Sequence, residues 1–240
     1  MKPHNGFTLI ELAIVLVIVT ILLGGLAVPL AAQIEARRIG ETRKAMEVIH
    51  DTLIGYAMSH TVIVGGVPRH YLPCPDTDNK GDEEPRDAAG NCPTVRGGLP
   101  WITLGVKGDD AWGNRYTYAV SEGFSNDKTG FISTPTTTAT PGTLNIFTNA
   151  GCIVPVASNV PVVVVSHGPQ GRGALNMNGG TPLPPTNDRA DEWQNLNVAA
   201  LNCADTSFVS RNPIANFDDL LIWLSSNELF SRVCPSGGCP

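Results

Sequence analysis

Residues 6–32 read GFTLIELAIVLVIVTILLGGLAVPLAA, and this stretch decides how the rest of the chain is read. From Leu12 to Ala32 there are 21 residues, of which only Thr20 is polar. A helix of that length crosses a hydrocarbon core of roughly 30 Å. An ordinary secretory signal has a shorter apolar core that ends at a small-residue cleavage site. Here helical spacing runs on past the apolar stretch, with Ile39, Met46, Ile49, Leu53 and Tyr56 or Ala57 on one stripe of residues 33–59. One helix of about fifty residues is expected, apolar all round in its first half and amphipathic in its second. Glu11 is the exception within it, because an ionised carboxylate at a bilayer centre costs about 2.5–3.5 kcal/mol. Residues 7–32 contain no Lys, Arg or His to pair with it.

The polar hexapeptide Met1-Lys2-Pro3-His4-Asn5-Gly6 precedes Phe7-Thr8-Leu9-Ile10-Glu11. Gly6-Phe7-Thr8-Leu9-Ile10-Glu11 resembles the processing site of type IV prepilins and type II secretion pseudopilins. The resemblance implies that a membrane-embedded prepilin peptidase cuts after Gly6 and methylates the new amine of Phe7. A residue without a side chain leaves the backbone before the scissile bond open to an enzyme. The resemblance also supplies a partner for Glu11, the α-amine of Phe7 in its own or a neighbouring subunit. Such a pair sets register as well as attracting. It implies a kink or local melting at Pro29, where a helix loses one hydrogen bond, with Gly24 and Gly25 adding freedom just upstream. The implied organisation is a cytoplasmic leader (1–6), a membrane and filament-core helix (7–32), its amphipathic continuation (33–60) and a periplasmic or extracellular β-rich domain (61–240). The partners implied are copies of itself, other pilins or pseudopilins, the peptidase and an inner-membrane assembly platform. Counting positive charges alone would put the N-terminus outside, since Lys2 precedes the apolar run and Arg37, Arg38, Arg43 and Lys44 follow it. The resemblance implies the opposite topology.

The cysteines agree with that topology. All six, Cys74, Cys92, Cys152, Cys203, Cys234 and Cys239, follow the apolar segment, as suits a domain in an oxidising compartment. Six cysteines allow fifteen pairings; sequential pairing is expected, because each bridge then closes a loop local to one region. With a net charge of −6 and no basic face, nucleic acid is not an expected partner. The basic cluster at residues 37–44 alternates with Glu35, Glu41 and Glu47, which reads as a solvated helix face.

Beyond His60 the chain is rich in Gly, Pro, Thr and Asn, which favours short strands and turns. Residues 62–67 leave the helix through a β-branched run and Gly65-Gly66. Residues 115–120, 144–148, 161–166 and 218–224 read as strands, with Val162-Val163-Val164-Val165 suited to a central one. Ser225-Ser226-Asn227-Glu228 offers a capping box for a final helix over 227–233; a helix from Asp218 is the alternative. The expected class is α+β: a long N-terminal helix packed on an antiparallel sheet with disulfide-pinned loops.

The segment from Asp110 to Tyr118, with Trp112 and Gly113 at its centre, is similar to one in major pseudopilins. Ser166-His167-Gly168-Pro169-Gln170-Gly171 with Asp188, Asp191 and Trp193 is similar to the loop by which those subunits bind calcium; the alternative is a surface loop with a buried Trp193. Asp76, Asp78 and Asp82, with Gly81 at the sixth position, echo a hard-cation loop. Lys80 stands where a third oxygen ligand belongs, so a solvated loop pinned between Cys74 and Cys92 is the competing reading. No cofactor is required on this reading, with calcium the one ion considered. No catalytic signature is present: Ser166 and His167 are adjacent, which is not the geometry of a nucleophile and its base, and no Gly-x-Ser-x-Gly elbow occurs. The function expected is that of a filament subunit, and the rival is a permanently anchored periplasmic binding or adhesive protein.

Overall fold

The computed structural model describes residues 8–133, 140–179, 183, 184, 186, 188–196, 203, 204, 206–234 and 239, without the side chains of residues 23–29. Helix α1 spans Leu9–Ser59, 51 residues, and its assignment runs through position 29, where a kink or melting was expected. Then come β1 (Thr61–Val64), β2 (Val67–His70), β3 (Arg96–Gly98), α2 (Trp101–Leu104), β4 (Thr117–Val120) and α3 (Glu122–Ser125). They are followed by β5 (Leu144–Phe147), β6 (Pro155–Val160), β7 (Val162–Ser166), α4 (Ala190–Asn195), β8 (Ser207–Val209), β9 (Leu220–Leu224) and α5 (Ser226–Val233). The chain divides into two units, Met1–Gly40 and Glu41–Pro240. The last third of α1 therefore belongs to the unit that holds the strands.

That third carries the expected stripe. Met46, Ile49, Leu53, Ile54 and Ala57 are buried, while Ile39 is only half-buried. Polar contacts fix the helix to the loops around it. The Tyr56 hydroxyl donates to Glu83 Oε1 at 2.7 Å, His70 Nδ1 lies 2.8 Å from Ala57 O, and Ala111 N donates to Thr42 Oγ1 at 3.2 Å. The chain then turns back through Gly65 and Gly66, both at positive φ, which is what a tight β1–β2 hairpin requires of its two central residues.

The single antiparallel sheet expected is instead two sheets and that hairpin. One sheet has the order β3-β4-β7-β9, antiparallel throughout. The other has the order β6-β5-β8, in which β5 and β8 run parallel. Parallel neighbours need a long crossover, and the chain from β6 through α4 supplies it. The valine run is central, between β4 and β9, and every residue of β7 is buried. Val163 and Val165 pack with Ala119, Leu144, Ile146, Val160 and Phe208, which joins the two sheets into one core. The buried Arg96 crosses the same boundary, donating to Leu196 O at 2.7 Å and Ser207 O at 3.2 Å, with its guanidinium 3.8 Å from the Phe208 ring centre.

Several boundaries differ from expectation. β4 begins at Thr117 because Arg115 is held in an isolated bridge with Asp109. β9 begins at Leu220 because Asp218 and Asp219 turn buried side chains into the domain; the alternative helix from Asp218 does not form. α5 has the expected cap, Ser225 Oγ accepting from Glu228 N at 3.2 Å. The disulfides join Cys74 to Cys92, Cys152 to Cys203 and Cys234 to Cys239, with Cα separations of 5.4, 5.9 and 4.9 Å.

Candidate functional site

Gly6 and Phe7 lie outside the described residues. The described chain begins at Thr8, and Thr8 and Glu11 cap the start of α1 reciprocally. Thr8 N and Oγ1 both donate to Glu11 Oε2, at 2.9 and 2.8 Å, and Glu11 N donates to Thr8 Oγ1 at 3.4 Å. This is the Thr-x-x-Glu capping box. Its spacing, the same as that of Ser225 and Glu228 at α5, is present in the sequence. Glu11 thereby has a second task, closing the first turn of the helix.

Beyond the cap, α1 presents exposed apolar side chains. Leu9 is 90% exposed, and Ile10, Leu12, Ile14, Leu16, Ile18, Ile21 and Leu22 are also exposed. A contiguous apolar surface of this kind marks a membrane or protein contact. Residues 1–27 match the family described as the prokaryotic N-terminal methylation motif. The methylation motif makes this N-terminus a type IV pilin-like class III signal. No curated protein and no solved structure matches the chain. Among the described residues no helix is long and apolar enough to cross a membrane; the apolar run read from the sequence includes residues 23–29, whose side chains are outside the description.

In the domain, the Asp76 loop is a hydrogen-bonded turn. Asp76 is buried, its Oδ1 accepts from Asp78 N and Asn79 N at 3.0 and 2.8 Å, and its Oδ2 accepts from Gly81 N at 2.8 Å. Burial pushes its carboxyl up, and those N–H groups pull it back. Asp78 pairs with Lys80, and Glu84 receives both the backbone N–H and the hydroxyl of Thr77. Asp76, Asp78 and Glu84 approach one another, whereas Asp82 is exposed and outside the group.

Asp188 is exposed and accepts from the Thr186 hydroxyl. Asp191 turns elsewhere, accepting from Ala150 N at 2.7 Å and pairing with Arg211 at 2.6 Å. Trp193 is half-buried rather than buried, and its Nε1 donates to Thr186 O at 3.2 Å. Ser166 and His167 do not act on each other. The serine hydroxyl donates to Asp110 Oδ2 at 2.7 Å, and His167 Nε2 lies 2.8 Å from Thr117 Oγ1.

Sequence reasoning missed a buried group. Glu192 on α4 meets Asp218 and Asp219, from the chain entering β9, and all three are buried. Burial, contact with Asp218 and the charges of Asp219 and Asp218 push the Glu192 carboxyl up, against Arg189. Burial raises Asp219 likewise. The adjacent Asp218 and Asp219 ahead of an apolar strand were the only trace of this group in the sequence.

Proposed function

We propose that the chain is a structural subunit of a type IV pilus-like filament or a type II secretion pseudopilus. Prepilin peptidase cuts it after Gly6 and methylates Phe7. Residues 7–32 hold it in the inner membrane, with the leader cytoplasmic and the β-rich domain periplasmic. The assembly platform then draws it into a filament with copies of itself and other pilins, where the apolar surface of α1 meets neighbouring helices instead of lipid. Glu11 faces the Phe7 amine and sets register, and Pro29 eases the helix into the bundle. The subunit works by assembly rather than catalysis. The single observation that carries this reading is the match of residues 1–27 to the methylation motif, and the exposed apolar face of residues 9–22 supports it.

Intact-mass and N-terminal analysis of the protein made alongside prepilin peptidase tests the first step. The expected product lacks residues 1–6 and begins with a monomethylated Phe7; an unprocessed Met1 start overturns the proposal. Glu11→Ala tests the second step. The variant is expected to be processed and membrane-bound yet nearly absent from sheared or purified filaments. A processed wild-type chain that never leaves the membrane, with or without Glu11, favours the permanently anchored alternative.

A further inference from the structure

We propose that Glu192, Asp218 and Asp219 hold a hard divalent cation inside the β-rich domain. The three side chains are 0%, 8% and 2% exposed. One carboxylate oxygen from each lies within 4.8 Å of one from each of the others. Each residue also has one oxygen fixed by a protein donor. Arg189 Nη1 donates to Glu192 Oε1 at 2.6 Å, Gln170 N to Asp218 Oδ2 at 2.9 Å, and Asn195 Nδ2 to Asp219 Oδ2 at 2.7 Å. The second oxygen of each, Glu192 Oε2, Asp218 Oδ1 and Asp219 Oδ1, is buried without a hydrogen-bond partner. Buried polar atoms are rarely left so, and three on neighbouring carboxylates define a gap for a donor of positive charge.

Local charge does not fill that gap. Arg189 is committed to Glu192 Oε1 and Ala215 O. His167 is buried, its Nδ1 is also unpartnered, and it stands 3.7 Å from Asp219 Oδ1, beyond hydrogen-bond distance. With all three carboxylates ionised, as they are around a bound cation, Arg189 and a protonated imidazole leave one buried negative charge for the ion to balance, and uncompensated buried charge is strongly destabilising. All-oxygen donors select a hard ion. Calcium binds oxygen at about 2.3–2.6 Å, so no two oxygens of its shell stand more than about 4.6–5.2 Å apart, a limit that carboxylate oxygens within 4.8 Å of one another meet.

The backbone is built to close this site. Gly168 has φ +60°, and a Cβ there would lie 2.3 Å from Asp218 O, so only glycine lets the turn after β7 approach Asp218 and deliver Gln170 N. The bound ion joins that turn, α4 and the entry to β9. The ligands differ from the residues nominated by sequence, Asp76, Asp78, Asp82, Asp188 and Asp191.

The full chain in detergent, stripped with EDTA and then titrated separately with CaCl2, MgCl2 and MnCl2, tests the site. One ion per chain is expected, with a Kd of about 10⁻³ M or tighter and a higher melting temperature on binding. Glu192→Gln and Asp219→Asn are expected to weaken binding by more than the roughly 10–100-fold that loss of an outer partner costs. Asp78→Asn is expected to bind as wild type does. Binding unaffected by Glu192→Gln but abolished by Asp78→Asn would move the ion to the Asp76 loop and overturn the proposal. The wild-type protein alone also decides, whatever the variants' folding: a stripped chain that binds none of the three ions, and whose melting temperature none of them raises, overturns it.

Discussion

Asp110 shows how one side chain can fix a loop. Its Oδ1 accepts from Trp112 N and Asn114 N, both at 2.9 Å, and its Oδ2 accepts from the Ser166 hydroxyl at 2.7 Å. Burial pushes the carboxyl up, while the Asn114 N–H, the Ser166 hydroxyl and the Trp112 N–H pull it back. Asp110 thus ties the turn before β4 to the end of β7, and Ala111 N reaches from the same turn to Thr42 on α1. Asp110→Ala leaves these donors unpaired and is expected to cost about 2–3 kcal/mol of unfolding free energy. Asp110→Asn keeps an acceptor for the two N–H groups and is expected to cost less than half of that. Urea unfolding of the two variants checks it; equal losses would show that the turn does not depend on those bonds. The capping pair Thr8 and Glu11 belongs to the same scale, because one carboxylate both closes a helix and is the proposed register device.

Among the elements, α1 changes character along its length. Leu53 is buried and Val48, on the same helix, is mostly exposed. Leu53→Ala is expected to lower stability by about 2–5 kcal/mol, while Val48→Ala is expected to stay within about 0.5 kcal/mol. Thermal melts of the two variants, each against wild type, check the contrast. This helix was legible in the sequence because periodicity is a local property. The valine run of β7 was legible for the same reason, as was the Ser225 cap of α5. Other strands were not. β3 is Arg-Gly-Gly and β2 is Val-Pro-Arg-His, in which, Val67 apart, no residue has a strand preference of its own and Gly and Pro disfavour one. They are strands because β4 and β1 present ladders to them. β6 carries exposed Val156 beside Pro155, so no alternation marked it. The parallel pairing of β5 with β8 was invisible because it depends on two segments far apart in the chain.

For the molecule as a whole, the disulfides rank by the loops they close. Cys152–Cys203 spans 51 residues, Cys74–Cys92 spans 18 and Cys234–Cys239 spans 5. Chain-entropy arguments give losses of about 4, 3 and 2 kcal/mol on removal. Double Cys→Ser variants of each pair are expected to follow that order in melting temperature; a larger loss from the shortest loop would contradict it. The N-terminal part of the candidate site was legible because Gly6 to Glu11 is a contiguous motif. The carboxylate group was not, since Glu192 and Asp218 come together only when α4 docks beside the entry to β9. The position of β9 has one more consequence. On the proposed export route, until residues 220–224 have followed β7 across the membrane, β7 has β4 on one side and an open ladder on the other. A β-branched apolar run with a free edge templates association with other chains. The four valines at the centre of the finished sheet are therefore the segment a chain in transit most needs to have shielded.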